Sequence, residues 1–99
     1  MQTEELISLQ QFCISHHIEQ SFIFSLGNAG LVNIVQTEEE VYIPAGELKQ
    51  LEKMVRFNTE MDINIEGIET ITYLLERMQQ MQQHITQLNN RLQFYEKEE

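Results

Sequence analysis

Ninety-nine residues with a formal net charge of −10 make one small domain with room for one appended element, and the acidic excess sets the chain against anionic lipid and nucleic acid. The charge is unevenly placed: residues 1–48 hold seven glutamates and no lysine or arginine, whereas residues 49–99 hold six basic and nine acidic residues. The lone Cys13 excludes an intramolecular disulfide, and no apolar run approaches the length of a membrane span.

Residues 1–7 read as a short leading strand, with Leu6 and Ile7 apolar. Ser8 followed three residues later by Gln11 is a capping-box pattern that opens a first helix. Leu9, Phe12 and Cys13 form its inward face, and it is expected to end near His16. After a turn centred on Ile18, a second helix is expected from about Glu19 to Ala29. Its inward residues are Phe22, Ile23 and Leu26, and Gly30 stands where a left-handed cap belongs. Leu31 to Val35 and Val41 to Ile43 read as the strands of a hairpin around the acidic turn Gln36 to Glu40. Pro44 and Gly46 then break the chain before a third helix, Ala45 to Glu60, with Leu48, Leu51 and Val55 on its buried face.

Asn64 is an N-cap candidate for a fourth helix reaching about Tyr95. Along it Ile71, Leu74, Met78, Met81, Ile85, Leu88, Leu92 and Tyr95 alternate three and four residues apart. They are the a and d positions of a heptad repeat. A helix about 45 Å long at 1.5 Å per residue cannot bury its far end on so small a domain. A homodimer through these eight residues is therefore expected. The reading is mainly α: a winged helix-turn-helix over residues 1–62, with a small β-hairpin wing, and a long coiled-coil helix over residues 63–99.

This order of elements resembles that of MerR-type regulators. One branch is closer. Met61-Asp62-Ile63-Asn64-Ile65-Glu66-Gly67-Ile68, followed by Ile71 and Leu74-Leu75-Glu76-Arg77, is similar to the corresponding segment of the chaperone-modulator (CbpM-type) family. Asn64-x-x-Gly67 is its most specific part. Met61 stands where that family has leucine, and the glycine it usually carries before the apolar residue is missing. The resemblance implies a cytoplasmic protein that binds the J-domain of a DnaJ- or CbpA-like co-chaperone and restrains its work with Hsp70. The residues alone leave the orientation of paired long helices open; the MerR resemblance implies antiparallel pairing.

The second helix offers Gln20, Phe24 and Asn28 outward, and the wing tip offers Glu38, Glu39 and Glu40; these six are the candidate partner-binding residues. Each has a blander reading. Phe22-Ile23-Phe24 cannot all face one core, because successive helical residues diverge by about 100°. Phe24 then either anchors a partner or packs under the wing or on the long helix. The three glutamates either steer a basic partner or merely keep the wing edge solvated.

Gln and Asn can read adenine, but without phosphate-neutralising cations a MerR-like transcription factor has little affinity for a duplex. A coiled-coil adaptor is the other alternative. Cys13, His16 and His17 fall short of a four-ligand zinc set, so no metal is expected. No nucleophile–base pair or phosphate loop is visible, so neither catalysis nor a cofactor is expected. Glu4 and Glu5 interrupt any signal-peptide core, which points to the cytoplasm.

Overall fold

The computed structural model describes residues 5–97, with side chains to Glu96. The part of the leading strand expected over residues 1–4 lies outside them. The elements are β1 (Leu6–Ser8), α1 (Leu9–His16), α2 (Gln20–Asn28), β2 (Val35–Gln36), β3 (Val41–Pro44), a 3-10 turn (Ala45–Glu47), α3 (Leu48–Met61) and α4 (Ile65–Lys97). The chain divides into two units after Glu69.

In the first unit, β1, β3 and β2 form an antiparallel sheet in that order, with β3 central. Ile7 lies opposite Ile43, and Val35 opposite Tyr42. The leading strand thus joins the wing. The wing's first strand is shorter than its composition predicts. Leu31 to Ile34 is a loop, because Asn33 gives its backbone N–H and its side-chain amide to Glu47, at 3.0 and 2.9 Å. Gly27 allows this loop to lie close on α2: a Cβ there would stand 2.5 Å from Ile34 Cδ1.

The helix ends follow their local chemistry. Ser8 caps α1, accepting from the Gln11 N–H at 3.4 Å. His17 turns the chain at φ 54°, and Gly30 follows α2 at φ 78°. The third helix starts three residues later than expected, since Ala45–Glu47 is a tighter 3-10 turn. It ends at Asp62, φ 55°, where the Ile63 N–H returns to the Phe57 carbonyl at 3.0 Å. Asn58 Nδ2 donates to the Ile63 carbonyl at 3.0 Å and braces the corner. Asn64 then caps α4, its Oδ1 accepting from the Gly67 N–H at 2.8 Å. At Gly67 an added Cβ would stand 2.6 Å from Ile63 Cγ2, so a larger residue there would have to displace the Ile63 side chain.

The core gathers Leu9, Phe12 and Cys13 of α1, Ile23 and Leu26 of α2, Val32, Ile43 of β3, Leu51, Met54 and Val55 of α3, and Ile68. Among the described residues it buries no polar or charged side chain. Phe22, Ile18 and Leu48 pack at its margin. The second unit is helical from Thr70 to Lys97.

Candidate partner-binding surface

The wing turn is built from its own side chains. The Thr37 N–H donates to the Glu40 carbonyl at 2.9 Å, and the Thr37 hydroxyl to the same oxygen at 2.9 Å. The Glu40 N–H donates back to Thr37 Oγ1 at 3.1 Å. No glycine is needed, because the threonine hydroxyl closes the turn.

The three glutamates of this turn are not equivalent. Glu38 and Glu39 are exposed, whereas Glu40 is half-buried and engaged. The Ser8 hydroxyl donates to Glu40 Oε1 at 2.8 Å, and the Tyr42 hydroxyl to Oε2 at 3.1 Å. Its carboxylate thus ties the wing to the start of α1. The Tyr42 phenol is held above its usual pKa, first by its hydrogen bond to Glu40, then by the charge of Glu40, partial burial and the charge of Glu39.

The fold brings some of the candidate residues together. Gln20 of α2, Glu39 and Glu40 of the wing and Gln10 of α1 line one hollow of about 180 Å³, floored by Leu9 and Val41. Its rim offers two amides and two carboxylates and no cation. Phe24 and Asn28 are exposed on α2 but do not line it. Phe24 keeps 36% of its surface, so it is neither fully packed nor fully free.

Two features escape the sequence pattern. Ile14 on α1 is 66% exposed, a large apolar residue on an outward face. A second, shallow hollow of about 450 Å³ runs between the helix-turn-helix corner and the end of α3, lined by His17, Glu19, Ser21, Phe22, Asn58 and Thr59 among others. Its lining comes from residues some 35 positions apart in the chain, so no local signal marks it.

Charge on the first unit is segregated. Lys49, Lys53 and Arg56, all exposed on α3, are its only cations among the described residues. Their spacing sets them along one face of that helix. Arg56 pairs with Glu60 at 3.6 Å, both exposed. The helix-turn-helix and wing surface is left wholly acidic or neutral.

Cys13 is buried, and burial pushes its thiol above the usual pKa. The His16 ring stacks on Phe12 at 4.1 Å, with Nδ1 3.0 Å from the Phe12 carbonyl. Among the described residues no group of three or more His, Cys, Asp or Glu is placed to hold a metal ion. No helix among them is long and apolar enough to cross a membrane.

On α4, Ile71 is half-buried. The other seven seam residues, Leu74, Met78, Met81, Ile85, Leu88, Leu92 and Tyr95, are 48–65% exposed.

The family model described as "MerR HTH family regulatory protein" matches residues 7–90, which run from β1 through most of α4. No match to a curated protein was found.

Proposed function

This chain belongs to the MerR HTH regulatory family, and we propose that it regulates by binding a protein rather than DNA. The partner proposed is the J-domain of a DnaJ- or CbpA-like co-chaperone, and binding inhibits that domain's stimulation of Hsp70. The observation that carries the reading is a helix-turn-helix and wing with no lysine or arginine through residue 48. Duplex affinity comes largely from cations that displace phosphate counterions, and this surface has none to offer. A basic protein surface is its electrostatic complement. The resemblance of the segment Met61 to Arg77 to the chaperone-modulator family supplies the identity of the basic partner.

In this mechanism Glu38 and Glu39 steer the encounter, and Gln20 and Asn28 supply neutral hydrogen bonds. Phe24 adds an apolar anchor whose contribution does not fade with salt. A second copy of the chain covers the seam of α4, giving a cytoplasmic homodimer with two such surfaces.

Titrating the protein into a J-domain, by calorimetry and by Hsp70 ATPase rate, tests this reading. Binding that weakens with salt and suppresses the stimulated ATPase is expected. Binding with full stimulation would remove the inhibitor, and no binding would favour a coiled-coil adaptor. The family assignment also favours a DNA-bound regulator as a second reading. Sub-micromolar, salt-sensitive duplex binding at ~150 mM salt would establish it over the first.

A further inference from the structure

We propose that the outward face of α1 docks an amphipathic helix of the partner, one that carries two cationic side chains about seven residues apart with an apolar residue between them. The inference rests on the basic-partner reading above and adds where that partner lies and the form of its contact.

Three features of the first unit fall in line along α1. Gln10, near its start, lines the hollow of about 180 Å³ that Glu39 and Glu40 border. His17, its left-handed cap, lines the hollow of about 450 Å³ at the helix-turn-helix corner. Between them in the chain, one helical turn on from Gln10, stands Ile14, 66% exposed. A single exposed isoleucine is ordinary. Ile14 differs in having an acceptor-lined hollow toward each end of its helix.

Both hollows call for donors. In the corner hollow each lining hydroxyl spends its hydrogen within the chain. Ser25 donates to the Ser21 carbonyl and Thr59 to the Val55 carbonyl, each at 3.0 Å, and Ser21 donates to Glu19 Oε2 at 3.4 Å. Their oxygens remain as acceptors, beside the exposed carboxylate of Glu19. In the wing hollow the Glu40 carboxylate already takes two hydroxyl donors, whereas Glu39 is exposed. Among the described residues no lysine or arginine lines either hollow. An ammonium or guanidinium group, all donor and no acceptor, complements each of them.

Size and exposure decide the occupant. The wing hollow falls below the roughly 300–1,000 Å³ of small-molecule sites, and the corner hollow is bordered by exposed side chains that cannot enclose a ligand. Each suits the tip of a long side chain delivered from outside. The seven residues from Gln10 to His17 span about 10 Å at helical rise. On a partner helix laid along α1, residues i and i+7 share a face over that same distance, and i+3 or i+4 falls between them, opposite Ile14.

Fluorescence anisotropy with labelled, alanine-rich peptides of about 20 residues, long enough to hold a helix, tests this face on the full chain. One peptide carries arginine at i and i+7 and leucine at i+4; in the control the leucine is moved to the opposite face. The first is expected to bind about tenfold more tightly. Ile14→Gln, at an exposed position that leaves the unfolding midpoint unchanged, is expected to erase that difference at every salt concentration. Glu19→Gln and Glu39→Gln are each expected to weaken the first peptide about threefold at low salt and little at high salt. Equal binding of the two peptides, binding of neither at millimolar concentration, or a preference that survives Ile14→Gln overturns the proposal.

The same three variants titrated against the J-domain keep the two readings apart. A J-domain that binds the parent chain and every variant alike leaves that partner standing and overturns the α1 face. A peptide preference lost in Ile14→Gln, with no J-domain binding at all, supports the face and removes that partner. A change of assembly state in Ile14→Gln, read by sedimentation, makes α1 a contact between copies and overturns the proposal.

Discussion

Leu51, Met54 and Val55 on α3 (i, i+3, i+4), and Ile85, Leu88 and Leu92 on α4 (i, i+3, i+7), each fall on one face of their helix. The first three are buried and the last three are about half exposed. A one-sided apolar pattern therefore has two outcomes in one chain. On α3 the complementary faces of α1, α2 and β3 come from the chain itself. On α4 the seam residues from Leu74 to Tyr95 are exposed. Periodicity identifies the side of a helix that must be covered; it does not say whether the cover lies in the same molecule.

That contrast can be broken most sharply at the seam. Ile85→Asp would place a charge in the seam of the proposed homodimer and is expected to leave the chain monomeric, read by sedimentation. An unchanged assembly state would remove α4 as the interface. Next in size is the core of the first unit. Leu26→Ala, at a fully buried position, should cost about 2–5 kcal/mol in denaturant unfolding. Leu88→Ala should leave the unfolding of the dissociated chain nearly unchanged. Gly67→Ala falls between these, at about 1–3 kcal/mol, because its Cβ meets a branched isoleucine beside the Asn64 cap. A neutral Gly67→Ala would show that this corner yields easily.

The acidic wing sharpens the comparison on a smaller scale. Glu40→Ala removes the acceptor for Ser8 and Tyr42 and should cost about 1–2 kcal/mol. Glu38→Ala and Glu39→Ala should stay within about 0.5 kcal/mol, and slow partner association instead. Equal stability losses at all three would show that Glu40 is not distinct.

The smallest expected effect is at alkaline pH. The folded state raises the Tyr42 pKa, so it favours the neutral phenol. The resulting stability is present below the ordinary tyrosine value of 10.0 and is lost as pH rises through the folded one. Tyr42→Phe should flatten that alkaline decline, measured as the difference in unfolding midpoint between pH 9 and about pH 11.

Much of the fold is legible in short stretches of sequence. Ser8 with Gln11, Asn64 with Gly67, and Gly30 after α2 all act where local chemistry places them, since a cap is decided by residues three or four apart. What stays hidden depends on distant partners. Leu31 to Ile34 has the composition of a strand but is held as a loop by Glu47, fourteen residues beyond Asn33. The pairing of β1 with β3 is likewise a long-range choice that neither strand announces.

The candidate surface divides in the same way. Gln20 and the glutamates are recognisable as outward residues from spacing alone. The meeting of Gln20, Glu39 and Glu40 in one hollow with Gln10, and the separation of Glu40 from its two neighbours, depend on the register of the wing against α1.

The Ser8 hydroxyl has a further consequence. It accepts the N–H of Gln11 in the first turn of α1 while donating to the carboxylate of the wing. Fraying of that helix end and opening of the hairpin therefore disturb a shared set of hydrogen bonds. In amide hydrogen exchange, Gln11 and the turn amides of Thr37 and Glu40 should behave as one opening unit, although they lie on different elements. A partner that grips the wing would thereby slow the breathing of the first helix, which it need not touch.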